Sequence, residues 1–308
     1  MFTPKDLEAV ETVFFHHSCP DGIAAREIHR ACFPEFTGSY LPYAFGEPLL
    51  GTEREPLLVR ALFLDCHPNL DELVRILGSY DVRVADHHRT FQQFVEGHPE
   101  LRERVLFGDD TLEPEAACGC SGARLSYLIG KSCSWNQRTD WVMLDFFSSL
   151  ISLGDTWQTD HPEFADARRL SNFIGFFGNS YRGFHLPSDP IVQAFGEAQQ
   201  ARHRAVAAAA VLRTVGELKV AFIPTRDTSD VAEILQQEKG QDMVVGFEIK
   251  TSGGAEVIAY SIRTREGISA RRLAESIGGG GHENAAGCAT DYLPGRDPIA
   301  SILERLGN

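Results

Sequence analysis

The chain has 308 residues and a formal net charge of −14, with 43% hydrophobic and 23% charged residues. This length suits two domains with a substantial core, and the composition is ordinary for a globular protein. The negative charge opposes binding of long duplex nucleic acid, whose affinity depends largely on phosphate neutralisation. It does not oppose a small anionic substrate held by metal ions, because the ions reverse the charge locally.

The sequence shows no sign of a membrane span or of export. No apolar run approaches the ~20 residues required to cross a bilayer, and the N-terminus lacks the basic-then-apolar design of a signal peptide. We therefore expect a cytoplasmic protein with no membrane partner. The seven cysteines lie in unrelated contexts, which indicates inert thiols and no disulfide framework. Cys118 and Cys120 are too closely spaced for a zinc knuckle without a second pair.

The first part of the chain alternates between apolar runs and helical patterns. Strands are predicted over residues 11–16, 39–45, 58–64 and 81–85, and helices over 23–32, 70–77 and 90–96. This rhythm is typical of a parallel sheet with right-handed crossovers. The pattern predicts an α/β domain with a doubly wound, mostly parallel sheet.

The remainder is first helical and then alternating again. Helices are predicted over 122–130, 141–153, 163–177 and 189–212, and the last of these is Ala-rich. Strands follow over 218–223, 242–249 and 256–263, with helices over 229–237 and 269–277. We expect a first domain over 1–190, a helical linker over 191–213 and a smaller α/β domain over 214–308. The long helix suits either a link between domains or a homodimer interface.

Side chains that bind metals follow the predicted strands. Four segments supply them, namely His17 with Asp21, Asp65, the run Asp86-His87-His88, and Asp155. The first three lie at strand ends of one parallel sheet, so they are expected to converge at its carboxyl edge. Carboxylates and imidazoles in this number exceed what one ion needs and suit two ions roughly 3.5–4 Å apart with a shared carboxylate.

A glycine run near the C-terminus is the second candidate site. It extends from Gly278 to Gly281, is followed by His282, and leads into Ala285-Ala286-Gly287, which resembles the start of a helix. Glycine-rich turns at helix starts expose N–H groups to anions. With Arg263 and His282 as donors, the run predicts a phosphate cradle; a flexible linker is the alternative.

Together these motifs resemble the DHH phosphoesterase family, in the branch with a DHH-associated C-terminal domain. The resemblance implies a phosphohydrolase with two metal ions, usually Mn²⁺, and a site between two domains. It implies metal ligation by His17, Asp21, Asp65, His87 and Asp155, with Asp65 bridging. It further implies that Asp86 supports the site, that His88 faces the scissile phosphate, and that Arg263, Gly280, Gly281 and His282 grip the substrate.

The chain departs from the family in its first motif, where two aspartates separated by one residue are usual. Only Asp21 is present, so either Cys19 replaces the first acid or Ile23 replaces the second. The small residues after Asp21 favour the former. A Cys19 thiolate would be a softer ligand that favours Zn²⁺ or Fe²⁺; alternatively the first ion has fewer protein ligands. Either His16 or His17 can be the histidine ligand.

Three functions remain open at this point. The first is hydrolysis of phosphoesters in short single-stranded oligonucleotides, as in an oligoribonuclease or exonuclease, or in small nucleotides, with one or two divalent ions, Mn²⁺ foremost. The second is hydrolysis of polyphosphate or pyrophosphate by the same ions. The third is a nucleotide-binding protein with weakened catalysis, which the missing aspartate favours.

Overall fold

The structure is a computed structural model that describes residues 2–44, 47–107, 120–133, 139–225, 227–252 and 255–306. It divides the chain into two compact units, Met1–Gly196 and Glu197–Asn308. Cys118 lies outside the described residues. Among the described helices, none is both long and apolar enough to cross a bilayer.

A parallel sheet of five strands organises the first unit. Its strands are β1 Thr12–His16, β2 Ser39–Tyr43, β3 Arg60–Leu64, β4 Asp81–Asp86 and β5 Val105–Phe107. Their order across the sheet is β2-β1-β3-β4-β5, and every pairing is parallel. The chain therefore moves outward from β1 to β2 and then reverses to β3 on the other side of β1. Such a reversal opens a crevice at the carboxyl ends of the two central strands.

Helices cover both faces of this sheet. They are α1 Pro4–Glu8, α2 Pro20–Cys32, α3 Leu70–Ser79, α4 Arg89–Glu96, α5 Gly122–Cys133, α6 Trp141–Asp155 and α7 Phe164–Phe177. Successive strand residues point to opposite faces. Val13 and Phe15 thus enter a core with α2 and α5 to α7, while Phe14 enters a core with α3 and α4. The predicted α/β, doubly wound fold is confirmed.

The long helix that contains the boundary between the two units is shorter than predicted. It spans Pro190–Ala208 as α8, and residues Val211–Val215 form strand β6 instead of the helix end. β6 pairs antiparallel with the following strand through a two-residue loop in which Gly216 has a φ of 60°. Two β-branched valines and a threonine in five residues favour the strand, and the hairpin partner overrides the helical preference of the preceding alanines.

The second unit contains a mixed sheet of six strands. These are β6, β7 Leu218–Ile223, β8 Met243–Ser252, β9 Ala255–Thr264, β10 Gly280–His282 and β11 Ala285–Asp291. The order is β10-β11-β9-β8-β7-β6, and only the β7–β8 pair is parallel. Helix α9 Thr228–Lys239 covers one face, and α10 Ala270–Glu275 and α11 Pro298–Leu306 cover the other. The predicted smaller α/β domain is confirmed.

The glycine run forms a β-hairpin, so the predicted helix start at Ala285 is wrong. β10 and β11 pair antiparallel, with Gly281 opposite Ala286. A Cβ on Gly281 would lie 2.6 Å from Ala286 Cα, and Gly281 has a φ of 142°. A Cβ on Gly279 would lie 2.2 Å from the Gly287 carbonyl oxygen. Glycine is therefore needed for close approach of two backbones and not for a helix N-terminus.

Candidate metal centre

Three neighbouring strands deliver their last residues to one place. His16 ends β1, Asp65 directly follows β3, and Asp86 ends β4. Because β2 lies outside β1, these three strands are adjacent in the sheet. The predicted convergence at the carboxyl edge is thus present in the fold, at the point where the strand order reverses.

His87 lies at the middle of the predicted ligand set. Its Nε2 is 3.2 Å from Asp65 Oδ1, 3.3 Å from Asp155 Oδ2 and 3.6 Å from Asp21 Oδ2. Asp155 reaches the site as the last residue of α6, two residues later than the predicted helix end. Four of the five side chains predicted as ligands therefore share one small volume.

A second group of ligand atoms surrounds the other oxygen of Asp65. Cys19 Sγ donates to Asp65 Oδ2 at 3.0 Å and lies 3.1 Å from His16 Nδ1. His16 Nδ1 in turn lies 3.4 Å from Asp65 Oδ2. Of the two histidines left open by the sequence, His16 joins the groups of ligand atoms among the described residues and the predicted ligand His17 does not. The strand ends at His16, and His17 belongs to the turn, where its N–H donates to the Tyr43 carbonyl.

Asp65 connects the two groups. Its Oδ1 faces His87 and its Oδ2 faces His16 and Cys19. The side chain is 1% exposed, and Oδ1 has no hydrogen-bond partner among the described residues. The backbone adopts a φ of 56°, a left-handed conformation that aspartate tolerates better than most side chains and that clusters at functional sites.

Asp21 is held by the first residues of α5, an arrangement that the sequence analysis missed. Its Oδ1 accepts from Ser121 Oγ at 2.6 Å and from the Ala123 N–H at 2.9 Å. Its Oδ2 accepts from the Gly122 N–H at 2.6 Å. A carboxylate at a helix N-terminus is favourable because it satisfies unpaired N–H groups and the helix dipole. The Ser121-Gly122 pair before an apolar helix is the sequence signal for such a start.

Asp86 fixes the two residues that follow it. The carboxylate is fully buried, and its Oδ1 accepts from the N–H groups of His87 and His88 and, at 2.6 Å, from His88 Nδ1. His88 also begins α4 as its N-cap residue. Because Nδ1 is hydrogen-bonded to Asp86, Nε2 is the ring nitrogen through which His88 can exchange a proton with a substrate.

The charges at this site are unbalanced. Burial together with the charges of Asp65 and Asp155 raises the pKa of Asp21, and burial also raises the pKa of Asp155. Burial alone would lower the pKa of His87, but hydrogen bonding and the charges of the three aspartates raise it to about 10. Burial would likewise raise the pKa of Asp65, yet the neighbouring imidazoles of His16 and His87 lower it. One imidazolium faces three carboxylates, of which Asp21 and Asp65 are buried and Asp155 is exposed.

The donor set fits divalent metal ions. Among the described residues there are three groups of possible ligand atoms, and inside each group the atoms lie within 4.8 Å of one another. The groups are Asp65 with Asp86, His87 and His88; His16 with Cys19 and Asp65; and Asp21 with His87 and Asp155. Carboxylate oxygens and imidazole nitrogens are ligands for Mn, Fe and Zn. The unpartnered Asp65 Oδ1 and the surplus of carboxylates are the features that a cation would satisfy.

The residues predicted to bind substrate lie in the second unit. Arg263 is on β9, where its Nε donates to Ser229 Oγ at 3.0 Å and its Nη1 to Ser261 Oγ at 3.1 Å. Gly280 and Gly281 are on β10, opposite β11, and β11 also pairs with β9 so that Ala285 is opposite Arg263. The side chain of His282 lies outside the described residues.

Comparison with known proteins gives one family match and several similar structures. The DHHA1 domain model matches residues 206–306, and no curated protein matches the chain. Among solved structures, the exonuclease RecJ bound to manganese is 16% identical over 98% of this chain and 91% of that one, with a TM-score of 0.49. A pGpG-specific phosphodiesterase, PggH, from Vibrio cholerae is 12% identical over 96% and 98%, also with a TM-score of 0.49.

An exopolyphosphatase-related protein from Bacteroides fragilis is 14% identical over 98% of this chain and 93% of that one, with a TM-score of 0.49. The family match, in contrast, covers nearly all of the second unit. Residues 206–306 therefore match the DHHA1 domain, in agreement with the DHH-associated C-terminal domain that the motifs predicted.

Proposed function

We propose that the protein is a metal-dependent phosphoesterase that hydrolyses short single-stranded oligonucleotides or small nucleotides. The observation that carries this proposal is the position of Asp65, whose two carboxylate oxygens face two separate groups of ligand atoms. Such a carboxylate can be shared by two divalent ions. In this proposal Asp21, Asp65, His87 and Asp155 would hold one ion, and His16 and Asp65 would hold the other, with Mn²⁺ as the first candidate metal.

When bound, divalent ions lower the pKa of a water molecule and neutralise the phosphoryl oxygens. The chain itself supplies positioning and a proton. Burial alone would lower the pKa of His88, but the hydrogen bond and charge of Asp86 raise it. This shift favours the protonated form of His88, whose Nε2 proton can stabilise charge on the phosphate or pass to the leaving oxygen.

Trp157 favours a substrate that carries a base. It follows Asp155 by two residues, is 53% exposed, and has a backbone φ of 57°. Arg168 lies on its ring, 4.4 Å from the ring centroid. An exposed indole beside an arginine is a stacking platform for nucleobases, and stacking contributes about 1–3 kcal/mol per base. Polyphosphate and pyrophosphate offer no such partner.

We also propose that the DHHA1 domain contributes to substrate binding through the hairpin at Gly280 and Gly281, with Arg263 and His282. The support is local. A Cβ on Gly280 would meet nothing within 4 Å, so a ligand can approach the backbone there. Arg263 lies on β9, two strands from β10, and its guanidinium is fixed by two serines; a fixed guanidinium suits a phosphate.

The first experiment incubates metal-stripped protein with a short 5′-labelled RNA and adds Mn²⁺, Mg²⁺, Zn²⁺ or no metal. We expect stepwise release of mononucleotides with Mn²⁺. Pyrophosphate and polyphosphate are assayed in parallel, and Trp157→Ala should raise KM for RNA without changing turnover of any base-free substrate. If the protein hydrolysed only pyrophosphate and polyphosphate, the nucleotide substrate would be wrong and polyphosphate hydrolysis would take its place as the proposed activity.

The site assignment is tested by the double variant Asp86→Ala/His87→Ala. It should lose hydrolysis with every metal while retaining the circular dichroism spectrum of the parent. Asp160→Ala is the matched control, since this exposed aspartate lies near Asp155 in sequence but outside the groups of ligand atoms. Unchanged turnover in the double variant would refute the assignment. Metal uptake by the parent without turnover of any substrate would favour the nucleotide-binding alternative.

A further inference from the structure

Cys19 occupies a position where its thiol is an unusual choice. It is the N-cap of α2, with extended backbone angles, and its Sγ accepts the Gly22 N–H at 3.3 Å. Oxygen side chains cap helices best, with aspartate among the most favourable residues. Aspartate would also restore the family pattern of the first motif. A thiol therefore caps this helix less well than an oxygen side chain would. It also adds little to the packing of the hydrophobic core, since Cys19 is only half-buried.

The thiol is directed at two other ligand atoms. Sγ lies 3.0 Å from Asp65 Oδ2 and 3.1 Å from His16 Nδ1, and the latter two atoms are 3.4 Å apart. Metal bonds of about 2.0–2.3 Å at tetrahedral angles place neighbouring ligand atoms roughly 3.3–3.6 Å apart. The 3.4 Å side between His16 and Asp65 has that size, and the two sides from sulfur are about 0.4–0.5 Å shorter than tetrahedral bonds would give, because hydrogen bonds now draw the thiol toward its partners.

A second observation points to a ligand on the same carboxylate, at the oxygen that faces His87. Asp65 is 1% exposed, yet its Oδ1 lacks a hydrogen-bond partner among the described residues. A buried carboxylate with an unsatisfied oxygen is costly unless a cation or donor completes it. Asp65 contributes Oδ2 to the triangle with Cys19 and His16 and also carries the unsatisfied Oδ1. Its carboxylate therefore belongs to both groups of ligand atoms.

The two groups differ in chemical softness. The group around Asp21, His87 and Asp155 offers only oxygen and nitrogen, which suits Mn²⁺. The group of His16, Cys19 and Asp65 adds a sulfur, and thiolates select Zn²⁺ over Mn²⁺. Three protein ligands leave a fourth tetrahedral position open, which is the arrangement of catalytic zinc sites.

We propose that Cys19 is a thiolate ligand that makes the His16–Cys19–Asp65 group a Zn²⁺ site beside an Mn²⁺ site. The proposal rests on the proposed function only in placing metal ions at this centre. On binding, the thiol proton that now bridges to Asp65 is released to solvent and the sulfur lone pair forms the bond to the ion. The replacement of aspartate by cysteine in the first motif then changes the metal preference of one site and does not empty it.

Co²⁺ tests the proposal, because it replaces Zn²⁺ and its bond to sulfur gives a charge-transfer absorption in the near ultraviolet. Metal-stripped full-length protein is titrated with Co²⁺ under reducing conditions, together with Cys19→Ser, Cys19→Asp and the control Cys66→Ser. Cys66 adjoins Asp65 but bonds to the Leu64 carbonyl and lies outside the groups of ligand atoms. The parent and Cys66→Ser should show the band, and both Cys19 variants should lack it.

Competition between Zn²⁺ and Mn²⁺ gives an independent readout. The ratio of their affinities should shift toward Mn²⁺ by at least about 10-fold in Cys19→Asp. Zn²⁺ should also protect Cys19 from alkylation, as measured by mass spectrometry of its peptide. Cys19→Asp retains a capping oxygen, so it should keep the parent's circular dichroism spectrum and separates loss of the ligand from loss of folding.

The outcomes distinguish this inference from the proposed function. Co²⁺ binding without the sulfur band in the parent, or a band that persists in Cys19→Ser, overturns the thiolate site. Hydrolysis of RNA by that same protein would leave the phosphoesterase proposal standing. Failure of the parent to bind any metal overturns both.

Discussion

The contact between Gly122 and Asp65 gives the sharpest prediction for the centre. Gly122 is the first residue of α5, and its N–H donates to Asp21. A Cβ at this position would lie 2.3 Å from Asp65 Cβ and 2.6 Å from Asp65 Oδ1. Carbon atoms in contact are normally about 3.5–4.0 Å apart, so Gly122→Ala must displace Asp65 or the helix start by about 1 Å.

The displacement should cost both stability and metal affinity. Forcing a methyl group into a packed interior typically costs about 1–3 kcal/mol of the free energy of unfolding. A shift of about 1 Å also takes the shared carboxylate out of position, and we expect affinity for divalent metal to fall at least about 10-fold. Urea denaturation of the metal-free protein measures the first effect, and calorimetric titration with Mn²⁺ measures the second.

Gly78→Ala is the matched control. Gly78 lies in α3, is exposed, and has no atom within 4 Å of a built Cβ. Alanine there should stabilise the protein by about 0.5–1 kcal/mol through helix propensity and leave metal affinity unchanged. If Gly122→Ala instead matched the parent in both measurements, the packing of α5 against Asp65 would be wrong, and with it the geometry of the centre.

Three further variants or conditions test the surroundings. Asp86→Asn should lower kcat by about 10²-fold with little change in KM, seen in a pH–rate profile, because His88 loses its anionic partner. Burial alone would lower the pKa of His87, but the carboxylates raise it to about 10. The stabilisation of the fold by protonated His87 is therefore complete below about pH 6.5 and is lost as pH rises toward 10. Urea midpoints of the metal-free protein should fall over that range and should recover when metal is added. Arg26→Ala should cost about 3 kcal/mol of unfolding free energy, because buried Glu27 loses its nearest cation and keeps the more exposed Arg30 at 3.6 Å and the Gly183 N–H; a loss below 1 kcal/mol would contradict this.

The sequence alone determined most of the local structure and the chemical types of the side chains that are candidate metal ligands. Runs such as Val13-Phe14-Phe15 are apolar on both sides, which is how a strand buried between two layers of helices is encoded. Acids and histidines directly after such runs were sufficient to predict that Asp65, Asp86 and His87 lie close together at the edge of the sheet. The order and spacing of these motifs were also sufficient to predict the domain that the family model matches at residues 206–306.

Local pattern was insufficient where a second chain segment decides the outcome. The residues from Gly278 to Gly287 carry no periodicity, so nothing in them distinguishes a helix start from a hairpin. Pairing of β11 with β9 settled the question. The strand β6 at Val211–Val215 was likewise hidden behind an alanine-rich helix until its partner β7 was present. In both cases backbone hydrogen bonds to a distant segment outweigh local preference.

The composition of the centre was decided at the tertiary level. Sequence order cannot reveal that β1 lies beside β3, since β2 intervenes along the chain but occupies the sheet edge. Nor can it reveal that His16 reaches Asp65 while His17 does not, because the strand's alternation ends between them. The hydrogen bonds from Ser121 and the start of α5 to Asp21 join residues about a hundred positions apart. Residue type fixes what a side chain can bind, but burial and strand order fix which side chains meet.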